Sequence, residues 1–351
     1  MTFDDMTRDT LEFLLETQFY EQRLPGLGAV VEAGGRRWQL ELGVSDVTTG
    51  DPFRIDHNYR IGSITKSFTA TAVLRQIDRG RLCFDDVLEP FVPGIPNGER
   101  ITIRHLLNMT SGVANFVDEQ GWLSTGDGVP IDPAEMDWPQ EDKVDLMRSR
   151  PAVFEPGAEA VYCDGNYILL GLVLEQVTGR LAAEVINGDI VASVPGLAGT
   201  EFPSGPGVPA PHPTFYMYLP DGHTLRELGD LNPNVVWTAG AMTSTIDDLL
   251  RWVRELADGT LLSPELHRER LVPRHMDRRP AYYGYGLGVQ RLGALVGHSS
   301  VMPGSSCAVY RYPAADTSVA VVTNGSPDFH STSMDIALIL MRSLHPDFVD
   351  G

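Results

Sequence analysis

Between Met6 and Glu21 the apolar positions Leu11, Leu14, Leu15 and Phe19 recur at helical spacing, which predicts an amphipathic first helix ended by Arg23-Leu24-Pro25-Gly26. Two extended runs follow, Gly28 to Glu32 and Arg37 to Leu42, joined by Gly34-Gly35, a pair that suits a tight hairpin. Tyr59 to Gly62 reads as a short strand leading into a helix whose face is Phe68, Ala72, Val73 and Ile77 and which Gly80 ends. Helical spacing returns at Ile101 to Thr110, with Thr102 as N-cap, at Lys143 to Ser149, and at Tyr167 to Thr178, closed by Gly179. Between these, Asn115 to Trp138 has no sustained period, and a loop of that length is expected to form a lid or a substrate wall.

Val194 to Pro213 is rich in Gly and Pro and reads as an irregular connection. Ser244 and Asp247 stand as a capping box for a helix reaching about Ala257. Alternation of the β kind then dominates: Gly284 to Gln290, Ala294 to Val296, Ser306 to Arg311 and Ser318 to Thr323, before a last helix from Met334 to Leu344. Strands at both ends with helices between them predict an α+β fold, an antiparallel sheet built from both termini and flanked by helices, with a mainly helical lobe inserted. The 351 residues are read as one domain, an α/β lobe of about 1–62 plus 280–351 and a helical lobe of about 63–279.

Composition narrows the partners. The net charge of −20 repels polyanions, so neither nucleic acid nor an anionic membrane is expected. No apolar stretch approaches the roughly 20 residues of a membrane helix, and the acidic start Met1-Thr2-Phe3-Asp4-Asp5-Met6 lacks a secretory pattern, so a cytoplasmic location is expected. Cys83, Cys163 and Cys307 are widely spaced and expected to be reduced, with no metal or cofactor implied.

Candidate chemistry centres on Ser63 and Lys66. Three residues apart at a helix start, the hydroxyl and the amine share one face. A desolvated lysine can serve as the base that makes a serine hydroxyl nucleophilic. The pair is unusual in a chain with only two lysines, although a capping serine beside a solvated lysine has the same spacing. Two further segments could converge on it: Tyr162-Cys163-Asp164, which places a phenol and a carboxylate before a helix, and Gly297-His298-Ser299-Ser300 among the C-terminal strands.

In order and content these segments resemble the motifs of the serine β-lactamase and penicillin-binding-protein superfamily: Ser-x-x-Lys, then Tyr-x-Asn or Ser-x-Asn, then Lys-Thr-Gly. The class C β-lactamase and DD-peptidase or esterase branch is the nearest. Thr110-Ser111-Gly112, Pro156-Gly157, Ala239-Gly240 and Pro303-Gly304 match its signatures in order. The resemblance implies Ser63 as the acylated nucleophile, Lys66 as base or proton relay, and Tyr162 as the second proton-transfer group, its pKa held down by Lys66. It further implies an oxyanion hole made of the Ser63 and Val301 backbone N–H groups, and substrate contacts from Asp164, His298, Ser299 and Ser300.

Three departures bear on substrate. Asp164 stands in place of Asn and, ionised, can only accept hydrogen bonds, from a substrate amine or from Lys66. His298 replaces a lysine and is mostly neutral near pH 7. Ser300 adds bulk where the motif has Gly. The expected activity is a serine hydrolase or acyltransferase on a small-molecule ester or amide, with water, an amine or an alcohol as acceptor, in natural-product metabolism. A DD-peptidase, a β-lactamase and a non-catalytic penicillin-sensor-like protein are the competing readings. Oligomeric state is left open.

Overall fold

A computed structural model describes residues 3–116, 136–219, 224–326 and 331–349. Helix α1 (Asp5–Glu21) is capped by the Asp4 carboxylate, which accepts the Thr7 amide at 2.8 Å. Strands β1 (Gly26–Ala33) and β2 (Arg36–Gly43) then pair with Ala33 opposite Arg36. Gly34 and Gly35, at φ 55° and 74°, supply the positive-φ pair that such a two-residue turn requires.

Six more strands come from the C-terminal part: β3 (Arg274–His275), β4 (Tyr283–Tyr285), β5 (Gln290–Leu292), β6 (Leu295–Met302), β7 (Ser305–Tyr312) and β8 (Thr317–Thr323). The eight-stranded sheet has the order β2-β1-β8-β7-β6-β5-β4-β3. Its defining contact is β1 against β8, with Val30 opposite Ala320, so the two ends of the chain meet in mid-sheet. Both strands are apolar runs rather than alternating ones because helices cover both faces of the sheet there. The C-terminal helix Thr332–Leu344 and α1 lie on one face, and Ile246–Asp258 packs across β6, β7 and β8 on the other.

Helix α2 (Thr65–Asp78) is the internal axis: every residue from Thr65 to Leu74 is buried. Its hydroxyls therefore need internal partners. Thr69 donates to the Thr238 carbonyl at 2.8 Å, Thr71 to the Ser67 carbonyl at 2.6 Å, and Ser67 to the Ile64 carbonyl at 2.7 Å while accepting from the Trp252 indole. The Phe68 and Trp252 rings stack with centroids 3.8 Å apart, which locks α2 onto the Ile246–Asp258 helix. Helix α3 (Gly165–Thr178) packs against α2 and ends at Gly179, φ 66°.

Several boundaries differ from the sequence expectation for physical reasons. The helix expected over Ile101 to Thr110 is only Ile103–Leu107, because Met109 turns to φ 65°; its Thr102 cap is present. The expected strand Gly284 to Gln290 is split at Gly288, where φ is 77° and a Cβ would meet that of Ala70 at 2.1 Å. Strand β6 runs through the whole Gly297 to Val301 segment, well beyond Val296. Thr245, not Ser244, caps the Ile246–Asp258 helix, because Ser244 is bridged to Tyr59. That helix and β3, placed by sequence in the helical lobe, belong with the sheet. A hairpin of Phe215–Tyr218 and Leu225–Leu228 was not anticipated. Most of the expected lid at Asn115 to Trp138, residues 117–135, lies outside the described residues.

Candidate active site

Ser63 lies in a 3-10 turn, Gly62–Ile64, that runs directly into α2. The Ile61 amide donates to the Met242 carbonyl at 3.0 Å, and Tyr59–Arg60 pairs with Thr243–Ser244, so the approach to the serine is fixed on both sides. One turn on, Lys66 is fully buried. Its Nζ donates to Ser63 Oγ at 3.0 Å, to Asp164 Oδ1 at 2.6 Å and to the Ala239 carbonyl at 2.8 Å. An ammonium has three protons, and all three are committed. Burial pulls the Lys66 pKa below its ordinary value, and the Asp164 carboxylate opposes that shift.

Asp164 opens α3, yet its side chain makes no capping bond and turns to Lys66 instead. The carboxylate is 23% exposed, so it faces the site as well as the lysine. Tyr162 presents a buried hydroxyl with no hydrogen bond of sound geometry, although it lies beside the Ser63 hydroxyl. An unpartnered buried phenol next to a nucleophile has its hydrogen-bonding capacity free for a reacting molecule. Its pKa is raised, by burial first and by Asp164 second, so the phenol is protonated at rest. That corrects the expectation that Lys66 lowers it: the lysine, 5.0 Å from the Tyr162 ring centre, is already neutralised by Asp164.

The second half of β6, past its pairing with β5, brings the third segment to the serine. His298 is fully buried. Its Nδ1 lies 2.7 Å from the Ser299 carbonyl, which can only accept, so Nδ1 carries the proton and Nε2 accepts from the Tyr285 hydroxyl at 3.0 Å. Burial drives its pKa down to about 3. His298 is thus a neutral buried support with no free ring nitrogen, not the substrate contact expected from sequence. Ser299 likewise differs from expectation: its amide and hydroxyl both donate to Gln290 Oε1, at 3.0 and 3.2 Å, and little of it is exposed.

The Ser299 N–H points away from β7, whereas the Ser300 carbonyl accepts from Ser306 on β7. Alternation along a strand then directs the Val301 N–H to the same open edge as that of Ser299. Ser300 turns its side chain under the strand, where its Oγ accepts the Ser63 backbone N–H at 2.9 Å.

Three participants escaped the sequence. Ala239 contributes only a carbonyl, which no side-chain pattern reveals. Tyr285 on β4 supports His298 and packs edge-on to Tyr162 at 6.1 Å. Gln290 anchors Ser299 and the Tyr310 hydroxyl, and beside Arg291 it carries no sequence signal of its own. Cys163 and Cys307 are buried, and burial pushes both thiols up to about 12. Among the described residues no cluster of His, Cys, Asp and Glu could hold a metal ion.

A half-buried serine bonded to a fully buried lysine at the head of a central helix, faced by a tyrosine and by a strand of an antiparallel sheet, defines the serine acyl-transfer class of α+β proteins. The chain belongs to the Beta-lactamase family, whose model matches residues 3–341. It is similar to penicillin-binding protein 4* of Bacillus subtilis (strain 168), with 26% identity over 87% of this chain and 69% of that one. A D-aminopeptidase of Brucella anthropi is 28% identical over 90% of this chain, which spans only 58% of that relative. A solved D-stereospecific amidohydrolase from Streptomyces sp. superposes with TM-score 0.82 at 27% identity, covering 94% of this chain and 97% of that one.

Proposed function

We propose that the protein is an amide or ester hydrolase, with acyl transfer to amines or alcohols as an added capacity, acting on a small-molecule acyl donor through a Ser63 acyl-enzyme. The observation that carries this reading is the Lys66 amine, buried and bonded to both Ser63 Oγ and the Asp164 carboxylate. In acylation the Ser63 oxygen bonds to the acyl carbon as its proton passes to Lys66, and Lys66 returns one of its own protons to Asp164. Tyr162 donates its phenol proton to the departing amine or alkoxide as the old acyl bond breaks. Backbone N–H groups of Ser63 and Val301 stabilise the oxyanion. In deacylation Tyr162 recovers a proton from the incoming water, amine or alcohol as that group bonds to the acyl carbon, the Ser63–acyl bond breaks, and the proton held by Asp164 returns through Lys66 to Ser63 Oγ.

Donors bearing a free amine fit best. The exposed part of the Asp164 carboxylate can accept from an ammonium, and one relative is named a D-aminopeptidase and a solved neighbour a D-stereospecific amidohydrolase. A carboxylate-bearing β-lactam or D-alanyl peptide fits less well, because neutral His298 offers no cation at the third motif. A place in natural-product metabolism fits the small-molecule acyl chemistry that the family resemblance implies and the dominance of arginine over lysine.

The test is turnover of D- and L-aminoacyl p-nitroanilides and p-nitrophenyl esters, with intact-mass detection of the adduct. Turnover abolished in Ser63→Ala, together with a Ser63 adduct in the native protein, is expected. Adduct without turnover would replace this reading by a penicillin-sensor-like protein, and neither adduct nor turnover would end it.

A further inference from the structure

The bond from the Ser63 N–H to Ser300 Oγ has a consequence for that same site, and it rests on Ser63 being the nucleophile. A donor of an oxyanion hole must meet the developing oxyanion at about 2.7–3.1 Å. Ser300 Oγ already stands 2.9 Å from the Ser63 nitrogen, within that range and on the donor that the oxyanion needs. The geometry points to Ser300 as a built-in occupant of the oxyanion hole, a side-chain hydroxyl that plugs the hole in the free protein and must rotate out for acylation.

Local packing fits this use. Ser300 is 3% exposed, so the hydroxyl faces no solvent that could compete for it. Gly62 lies directly opposite, and a Cβ built there would come within 1.9 Å of Ser300 Oγ and 2.5 Å of Met302 Cγ. The turn that carries the nucleophile therefore accommodates the serine only because residue 62 has no side chain. Among the described residues, accepting from Ser63 is the single hydrogen bond that the Ser300 hydroxyl makes through its side chain. The hydroxyl is held by that one bond, and a change of χ1 to another staggered well releases it. A substrate carbonyl then gains the N–H only by displacing an internal acceptor. Poorly polarised donors are penalised more than activated ones, and the free protein keeps the buried amide satisfied between turnovers.

The test is pre-steady-state acylation by p-nitrophenyl acetate, in which the Ser63 oxygen bonds to the acetyl carbon and p-nitrophenolate leaves. Ser300→Gly and Ser300→Ala remove the plug. Each is expected to acylate about tenfold faster than the native protein, the worth of one neutral hydrogen bond. Phenylboronic acid, whose tetrahedral Ser63 adduct puts an oxygen in the hole, should bind tighter by a similar factor, a gain that a merely structural role would not give. Acylation and boronate binding unchanged in both variants would overturn the proposal while leaving the nucleophile assignment intact. A fall of tenfold or more in folded variants, judged by unchanged thermal midpoints, would also overturn it, because the hydroxyl would then be a donor to the oxyanion. Ser63→Ala is the separate control: a burst surviving there would remove the underlying reading itself.

Discussion

At the scale of single residues, one departure from the family's pattern acts directly on the buried lysine: the Asp164 oxygen that stands for an amide nitrogen. Its carboxylate raises the pKa of Lys66 and of Tyr162, in both cases against or beyond the effect of burial. Replacing it by the amide removes both contributions, so each pKa falls. If the ascending limb of the pH–rate profile reports loss of a proton from the lysine, Asp164→Asn moves that limb to lower pH. The plateau is expected to drop about tenfold to a hundredfold, since a less basic lysine is a weaker proton acceptor and the carboxylate that receives its proton is gone. Stopped-flow acylation across pH 5–10 reads both effects. A plateau equal to or above the native one would eliminate Asp164 as a participant in proton transfer. Ser63, Lys66 and Tyr162 were legible in the sequence because each lies within a short local motif. Ser300's bond to residue 63 was not, because 237 residues separate the two and only the pairing of β6 beside the α2 start joins them.

At the scale of elements, the short strand β5 acts on the site through its first residue. Beyond Gly297, β6 has no strand neighbour on its open side among the described residues, and that edge is where the Val301 N–H must be aimed. Gln290 substitutes for the missing strand: its one carbonyl oxygen accepts from the Ser299 amide, the Ser299 hydroxyl and the Tyr310 phenol. Gln290→Ala leaves these buried donors unpartnered, and a loss of about 2–4 kcal/mol in stability is expected. It should appear as a lower urea midpoint with an unchanged slope. The acylation rate should fall as well, because the freed edge no longer fixes Val301. Full stability in the variant would show that water replaces the amide and that β6 holds its own shape. Helices and hairpin turns of this fold were legible from caps and glycine pairs. The extent of β6 was not, since Gly297, Ser299 and Ser300 are weak strand formers on their own and become a strand only through β7 and Gln290.

At the scale of the whole molecule, charge and topology act together. The meeting of β1 and β8 places the chain's two ends in one sheet, while α2 carries the nucleophile at the head of a buried helix. A net charge of −20 around the site favours approach of cations and opposes anions, most strongly at low salt. The effect is long-ranged, whereas contact of a donor's ammonium with Asp164 is local and screened far less. These contributions separate in one experiment. For aminoacyl p-nitroanilides with a free ammonium, kcat/KM is expected to fall about threefold to tenfold between 10 and 300 mM salt. For N-acetyl analogues it should stay flat, and for N-succinyl analogues it should rise. In Asp164→Asn the salt slopes persist, because the global charge is almost unchanged, but the preference for the free amine over the N-acetyl donor at 300 mM disappears. Equal slopes for all three donors would mean that the acidic surface does not act on this site. A preference surviving in the variant would mean that the ammonium is recognised elsewhere than at Asp164.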